Sequence, residues 1–250
     1  KRYRFFSLII LLCCTSVACN DFLTEYSHDQ AYVQSYSDLD ELIIGSGYMK
    51  CTGTHDYTYY STAKETYYPY VHFMADETEV RNTGTYDYYG EDFLKMFYGF
   101  YTWQKDVDKD HEGTVGWTEN QDWINLYKHI NITNIILSQI DNQTIQTEND
   151  QQNVNRIKGE AHFLRGAYYF VLANLYGKPY SPTSAKTDLA VPIKLTKNIE
   201  DKVYTRATVE KTYEQVLEDL LTAEKHLKGQ SSKSVTRAGH TATCLLLSRV

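Results

Sequence analysis

Residues 152–179 decide the fold, and they read QNVNRIKGEAHFLRGAYYFVLANLYGKP. Apolar side chains recur here at intervals of three and four residues, which predicts an amphipathic α-helix. A second apolar row lies on another side of the same helix, so we expect neighbouring helices to cover it from two directions. The first row comprises Ile157, Ala161, Leu164, Tyr168, Val171, Leu172 and Leu175, and the second comprises Phe163, Ala167 and Phe170.

Small residues interrupt this pattern, among them Gly159, Gly166 and Ala173. An interior glycine costs a helix about 1 kcal/mol relative to alanine, so close packing against other helices has to compensate for it. Gly177 and Pro179 end the pattern, because proline cannot continue a helix and glycine favours a left-handed helix end. The sequence therefore predicts a long central helix that ends with Gly177 in the left-handed conformation.

Residues 159–180, GEAHFLRGAYYFVLANLYGKPY, closely resemble the A-x-FLRA-x-YYF-x-L-x-x-LYG-x-P signature of SusD/RagB-like proteins, which are nutrient-binding outer-membrane lipoproteins of Bacteroidetes. Residues 123–140 resemble the family's W-x-x-x-Y-x-x-I-x-x-x-N-x-x-L helix, and residues 205–224 resemble its R-A-T-V-E-E-V-Y-x-x-I-x-x-D-L-x-x-A element. The resemblance implies a scaffold of helix pairs decorated by irregular loops. It also implies a protein roughly twice as long, of which this chain is the N-terminal part.

Cap residues mark two further helices. Thr118 opens one that runs to about Ile140, and Thr208 opens one that runs to about Leu227. Asn134 is predicted to be structural, because a buried asparagine usually binds neighbouring backbones. The residues expected to face inward on the later helix are Tyr213, Val216, Leu217, Leu220 and Leu221.

Helices of about twenty residues with small residues at their contacts resemble tetratricopeptide-type pairs. Polar residues 141–150 are interpreted as a linker between two of them, and a last helix is expected to begin near Thr236. We therefore predict an all-α fold of tetratricopeptide-like helix pairs, an α-α superhelix, decorated by long irregular loops rich in aromatic residues.

The N-terminus has the pattern of an export signal. Basic residues 1–4 precede the apolar run 5–14, and the small residues of SVAC, 16–19, follow. The end of this pattern resembles a bacterial lipobox, which implies that Cys19 is lipidated and becomes the mature N-terminus. The alternative is an ordinary cleaved signal followed by an incidental cysteine. On the first interpretation, attached acyl chains anchor the protein in the outer membrane, facing the cell surface.

Three domains follow from these patterns. The pattern and the resemblance together imply that residues 1–18 are a lipoprotein signal peptide and that residues 19–35 are a lipidated tether. They imply that residues 36–250 are a SusD-like N-terminal helical domain truncated at its C-terminal end.

Residues 48–103 are rich in aromatic side chains, with 12 tyrosines, and they have little helical periodicity. A long irregular stretch in a compact domain is usually functional. Aromatic rings can stack on the apolar face of a sugar, although most of these tyrosines are expected to serve packing.

Two short segments within this region, FMADETEVR and YTWQKDVD, resemble segments that contribute ligand contacts in glycan-binding family members. Carried over by position, the ligand-binding candidates are Asp76, Arg81 and Trp103. A structural role for Asp76 or Trp103 is the alternative.

The sequence does not match the motifs of calcium sites, of common enzyme active sites or of nucleic-acid-binding proteins. Asp106, Asp108 and Asp110 resemble the start of a calcium loop, but His111 and Trp117 stand where an EF-hand requires Gly and Glu. The chain carries no Ser/His/Asp, HExxH or phosphate-loop motif, so we predict no catalytic residues, no metal, no cofactor and no enzymatic activity. A net charge of −7 argues against nucleic acid as a partner.

The five cysteines lack a paired CxxC motif. Cys51 and Cys244 either form a disulfide or remain as two free, buried thiols, and we favour the thiols.

The leading functional hypothesis is a surface lipoprotein that binds a glycan or other nutrient and delivers it to a SusC-like TonB-dependent transporter. Its membrane contact would be the lipid anchor alone. The alternative is a helical scaffold subunit of the transporter complex with no small ligand of its own.

Overall fold

The computed structural model describes residues 33–49, 74, 99–100, 102–106 and 121–250. The chain divides into two compact units, Lys1–Gln34 and Ser35–Val250, and all helices given below belong to the second. The predicted signal peptide and Cys19 lie outside the described residues.

Five α-helices lie wholly within the described residues, and residues 99–100 are also helical. The five are α1 (Tyr36–Leu42), α2 (Gln121–Gln139), α3 (Glu148–Tyr176), α4 (Val209–Leu227) and α5 (His240–Leu247). A π-helical turn, Ile43–Gly47, extends α1, and a 3₁₀ turn, Ile140–Asn142, extends α2. Within these residues no strand forms, and Leu189 and Thr208 make one isolated bridge. The predicted all-α fold is confirmed.

Helix α3 begins earlier than its apolar pattern indicated. The Thr147 hydroxyl accepts the Asp150 N–H at 3.1 Å, and the Asp150 carboxylate accepts the Thr147 N–H at 2.9 Å. This reciprocal capping box satisfies N–H groups that the first helical turn leaves without partners. The predicted linker 141–150 is therefore shorter than expected, because its last three residues are helical.

The end of α3 corrects a second prediction. Gly177 is extended, with φ −88° and ψ 167°, and is not left-handed. Its N–H still donates to the Ala173 carbonyl oxygen at 2.9 Å, and a Cβ at this position would lie only 2.5 Å from that oxygen. Glycine is needed here for a close backbone approach and not for a positive φ.

Helix α3 is sandwiched, as predicted, between α4 and α2. A Cβ on Gly159 would lie 2.7 Å from Leu227 Cγ, and one on Gly166 would lie 3.1 Å from Leu220 Cγ. The small residues thus allow α4 to approach closely. The buried apolar residues include Leu126, Ile130, Ile136 and Ile140 before α3, Ile157, Ala161, Leu164 and Leu172 within it, and Val216, Leu220, Ala223 and Leu227 on α4.

The inward face of α4 is narrower than predicted. Val216 and Leu220 are fully buried, whereas Leu217 and Leu221 are 39% and 57% exposed. Each exposed leucine follows a buried residue and is turned about 100° around the helix axis from it. The prediction that Leu217 and Leu221 face inward is wrong. Helix α5 also begins four residues later than predicted, at His240, with Gly239 as its N-cap.

A buried ionic network joins α1 to α3. The Arg156 guanidinium donates to Asp40 on α1 at 3.0 and 2.9 Å and to Glu160 at 2.8 Å. Arg237 binds the same two carboxylates, and the Tyr48 hydroxyl donates to Glu160 at 2.8 Å. Two guanidinium groups thus face two carboxylates, which satisfies the requirement that buried charges be paired.

A second network joins α2, α3 and α4. Arg165 pairs with the fully buried Asp219, and His162 Nδ1 lies 2.8 Å from the same carboxylate. The Asn134 side chain accepts a hydrogen bond from Arg165 at 2.9 Å and donates to the Lys194 carbonyl oxygen at 3.0 Å. The predicted structural role of Asn134 is confirmed.

The Cys244 thiol is free, as favoured, but it is exposed, so its predicted burial is wrong. Cys51 lies outside the described residues. No helix in the described segments has both the length and the apolar character needed to span a bilayer.

Candidate functional site

Trp103 lies just after the helical residues Gly99 and Phe100 and closes their last turn. Its N–H donates to the Phe100 carbonyl oxygen at 3.2 Å, and the N–H of Gln104 donates to the Gly99 carbonyl oxygen at 2.8 Å. Bonds that span three and five residues in this way form the Schellman motif, a common helix end. The motif places Trp103 at the position where the chain must become left-handed.

The backbone of Trp103 has a φ of 56°, and it is the one described non-glycine residue with a positive φ. Glycine is the usual residue in this position because a Cβ costs about 1–2 kcal/mol in the left-handed region. The Trp103 side chain is 69% exposed, so burial offsets little of that cost. A bulky residue kept in a strained position without compensating burial is a candidate for function.

The exposed indole can act as a binding platform. Its faces are apolar and its N–H is a hydrogen-bond donor, a combination that suits a ligand with one apolar face and a polar rim. The next three residues, Gln104, Lys105 and Asp106, are also exposed and supply an amide, a cation and a carboxylate. Trp103 and these three residues are called the Trp103 turn below.

A second surface feature is a cavity of about 330 Å³ beside the C-terminal end of α3. Its polar groups are already bound to one another. Arg206 donates to the carbonyl oxygens of Ala190, Tyr176 and Leu189 at 2.6, 2.9 and 3.1 Å. We assign this cavity a structural role. It is lined by Tyr176, Gly177, Lys178, Thr187, Asp188, Leu189 and Arg206.

The ion pair at the cavity's edge supports that assignment. The Lys178 ammonium lies 2.6 Å from the Asp188 carboxylate, and this hydrogen bond lowers the pKa of Asp188. A ligand would have to displace it.

Comparison with known protein families identifies the family to which this chain, with its Trp103 turn and its cavity beside α3, belongs. Residues 64–250, about three quarters of the chain, match the SusD-like family described as starch-binding and associating with the outer membrane. The chain belongs to this SusD-like family. A comparison with curated protein sequences finds no match.

Solved structures of SusD-like proteins share the fold. A SusD superfamily protein from Bacteroides thetaiotaomicron is 23% identical with a TM-score of 0.56, over 86% of this chain and 42% of its own. A SusD-like carbohydrate binding protein from Bacteroides vulgatus is 21% identical with a TM-score of 0.60, over 87% of this chain and 41% of its own. A SusD superfamily protein from Bacteroides fragilis is 22% identical with a TM-score of 0.59, over 88% of this chain and 46% of its own. The chain spans less than half the length of these relatives.

Of the site residues that the sequence suggested in this SusD-like chain, only Trp103 falls within the described residues. Asp76 and Arg81 lie outside them, as do Asp108 and Asp110 of the rejected calcium loop. The left-handed backbone of Trp103 had no signal in the sequence, because no residue type there favours a positive φ. A Gly or Asn would have given such a signal.

Proposed function

We propose that this SusD-like protein is a binding protein of the outer-membrane surface. It binds a glycan or related nutrient and delivers it to a SusC-like TonB-dependent transporter. The family description, starch-binding and associating with the outer membrane, supports the ligand class and the location. Holding the ligand beside the transporter raises its effective concentration there, which explains the benefit of a separate binding protein.

One observation carries the proposal, namely the strained and exposed Trp103. A sugar ring presents C–H groups on one face and hydroxyl groups around its rim. In this proposal the indole stacks on the C–H face, and the neighbouring Gln104 and Asp106 would exchange their present contacts for hydrogen bonds to hydroxyl groups. Asp76 and Arg81 remain proposed partners of Trp103 on the strength of the sequence resemblance.

We propose binding without catalysis. Glycoside hydrolysis requires two carboxylic groups on opposite sides of the scissile bond. Among the described residues, the buried carboxylates Glu160 and Asp219 and the half-buried Asp40 each bind an arginine. Such pairing favours a structural role and leaves none of these groups poised as a general acid.

Membrane attachment is proposed through Cys19. In this proposal residues 1–18 are removed as a signal peptide, the Cys19 thiol carries the lipid, and residues 19–35 act as the tether. Metabolic labelling with a clickable fatty acid tests it. We expect label on the wild-type protein and none on the Cys19→Ala variant, and equal label on both would contradict the anchor.

A second candidate function is a helical scaffold subunit that contacts another polypeptide and holds no small ligand. The exposed leucines Leu217 and Leu221 on α4 and Leu245 on α5 favour it. The two candidates differ in one measurable property, which is whether the isolated protein binds a glycan.

The test is a glycan array followed by calorimetry on the intact protein. We expect binding of at least one oligosaccharide class, and an affinity at least about tenfold lower in Trp103→Gly, equivalent to about 1.4 kcal/mol. Tyr180→Ala is the matched control, because Tyr180 is an exposed aromatic residue outside the Trp103 turn. Its affinity should equal that of the wild type. Absence of binding to every glycan would favour the scaffold function.

A further inference from the structure

Helices α4 and α5 bring three metal-ligating side chains together. Glu224 lies near the end of α4, His240 is the first residue of α5, and Cys244 follows His240 by one helical turn. Glu224 Oε1 lies 2.8 Å from His240 Nε2, which lies 3.7 Å from Cys244 Sγ. One ligand atom from each residue falls within 4.8 Å of the other two.

Sequence spacing and secondary structure explain why these groups converge. Residues four apart on a helix lie on the same face, so His240 and Cys244 project together from α5. The same spacing places two histidines on one zinc ion in HExxH metalloproteases. Glu224 completes the group from α4. Glu224 and His240 are half-buried and Cys244 is exposed, so an ion can reach all three.

Two of the three distances between ligand atoms fit a tetrahedral ion after a small adjustment, and the third, between the Glu224 oxygen and the Cys244 sulfur, is at most 4.8 Å. Zinc bonds of about 2.0 Å to nitrogen and oxygen and about 2.3 Å to sulfur place ligand atoms roughly 3.3–3.6 Å apart. The nitrogen–sulfur distance is already close to this range. The nitrogen–oxygen distance must widen by about half an ångström, and the His240–Glu224 hydrogen bond then gives way to the two metal bonds.

We propose that Glu224, His240 and Cys244 bind zinc or a chemically similar divalent transition-metal ion that joins α4 to α5. A thiolate with an imidazole favours such an ion over magnesium or calcium, which prefer oxygen ligands. The carboxylate binds through the oxygen that now accepts a hydrogen bond from His240 Nε2–H. The imidazole binds through Nε2 as its Nδ1–H tautomer, so on metal binding the Nε2 proton is exchanged through solvent to Nδ1. The thiol releases one proton to solvent on binding, and a water molecule occupies the fourth position.

The site has a structural consequence. Helix α5 has only eight residues, and its side chains Leu245 and Cys244 are exposed. An ion that binds residues on both α4 and α5 would hold the short helix against its neighbour. Binding to the folded state alone would raise the stability of the protein in proportion to the logarithm of the ion concentration.

Cobalt(II) titration of the intact, reduced protein tests the proposal, because a cobalt–thiolate bond gives a charge-transfer absorption band in the near ultraviolet. We expect the band in the wild type and its loss when zinc is added. Cys244→Ser should lack the band. His240→Gln and Glu224→Gln should each bind at least about tenfold more weakly, since even outer-sphere partners of metal ligands contribute 10–100-fold.

Two matched controls identify the source of any signal. Cys51→Ser removes a thiol that the proposal does not use, and Glu218→Gln removes an exposed carboxylate from α4. Both should titrate like the wild type, and zinc should raise the thermal midpoint of the wild type but not of Cys244→Ser. A wild type without the band, a band retained in Cys244→Ser, or a band abolished by Cys51→Ser would each overturn the proposal.

Discussion

Arg165 and Asp219 form a bidentate ion pair across the buried interface of α3 and α4. Arg165 Nε donates to Asp219 Oδ2 at 3.0 Å, and Nη2 donates to Oδ1 at 2.7 Å. A third N–H of the same guanidinium donates to Asn134 on α2 at 2.9 Å. One side chain therefore fixes the relative position of three helices.

We expect Asp219→Asn to lower the free energy of unfolding by about 3–5 kcal/mol, because it leaves the Arg165 charge buried without its counter-ion. Urea denaturation followed by circular dichroism measures the change. The control is Asp201→Asn, at an exposed carboxylate, for which we expect a change within about 0.5 kcal/mol. A loss below about 1 kcal/mol for Asp219→Asn would show that the pair does not hold the helices together.

Stability should also depend on the protonation of His129. Burial lowers the pKa of this imidazole below 6.5, although the hydrogen bond between Nδ1 and the Ser46 carbonyl oxygen, at 2.8 Å, partly opposes the shift. The folded state thus favours the neutral ring. The stability that His129 contributes is present above pH 6.5 and is lost as the pH falls from there through the folded pKa.

The measurement is the free energy of unfolding of the wild type and of His129→Gln across this window. We expect the wild type to lose stability more steeply than the variant as the pH falls. Parallel curves would contradict a neutral, half-buried His129.

Close packing of α3 on α4 predicts a steric effect at Gly159. Alanine there would place its Cβ 2.7 Å from Leu227 Cγ, so we expect Gly159→Ala to destabilise the protein by about 1–3 kcal/mol despite the higher helix propensity of alanine. Gly45→Ala is the control, since nothing lies within 4 Å of its added Cβ. Thermal unfolding should show a lower midpoint for Gly159→Ala only. If Gly159→Ala and Gly45→Ala had equal midpoints, α3 and α4 could move apart at no cost in folding free energy.

Glycine at position 103 relieves the backbone strain that Trp103 imposes. We expect Trp103→Gly to leave the free energy of unfolding unchanged or to raise it by up to about 1 kcal/mol, because glycine adopts a positive φ freely but loses more entropy on folding. Trp103→Ala keeps the Cβ, so it keeps the strain and should not show this rise in the free energy of unfolding. If Trp103→Gly lost more than about 1 kcal/mol, the indole would be a packing residue.

The sequence predicts the helices better than the contacts between them. The long periodic pattern of α3 and the cap at Thr208 are local signals, and both are confirmed. The buried charges are not local, because Arg165 binds a residue 54 positions away and Arg237 binds one 197 positions away. Such residues look like solvated polar positions in a single sequence.

Periodicity also fails to define how wide a buried face is. Leu217 and Leu221 fit the apolar pattern of α4 as well as Val216 and Leu220 do, yet only the latter pair is covered. Trp103 was a candidate through family resemblance alone. Its strain follows from the hydrogen bonds of a helix end, which side-chain patterns do not encode.

The most direct test of the account is the oligosaccharide affinity of the wild type and of Trp103→Gly, measured by calorimetry on samples whose unfolding free energies have been determined. We predict that the variant is at least as stable as the wild type and binds at least about tenfold more weakly. Equal affinity in the two proteins would contradict the account, because the scaffold would then present Trp103 for some purpose other than carbohydrate binding.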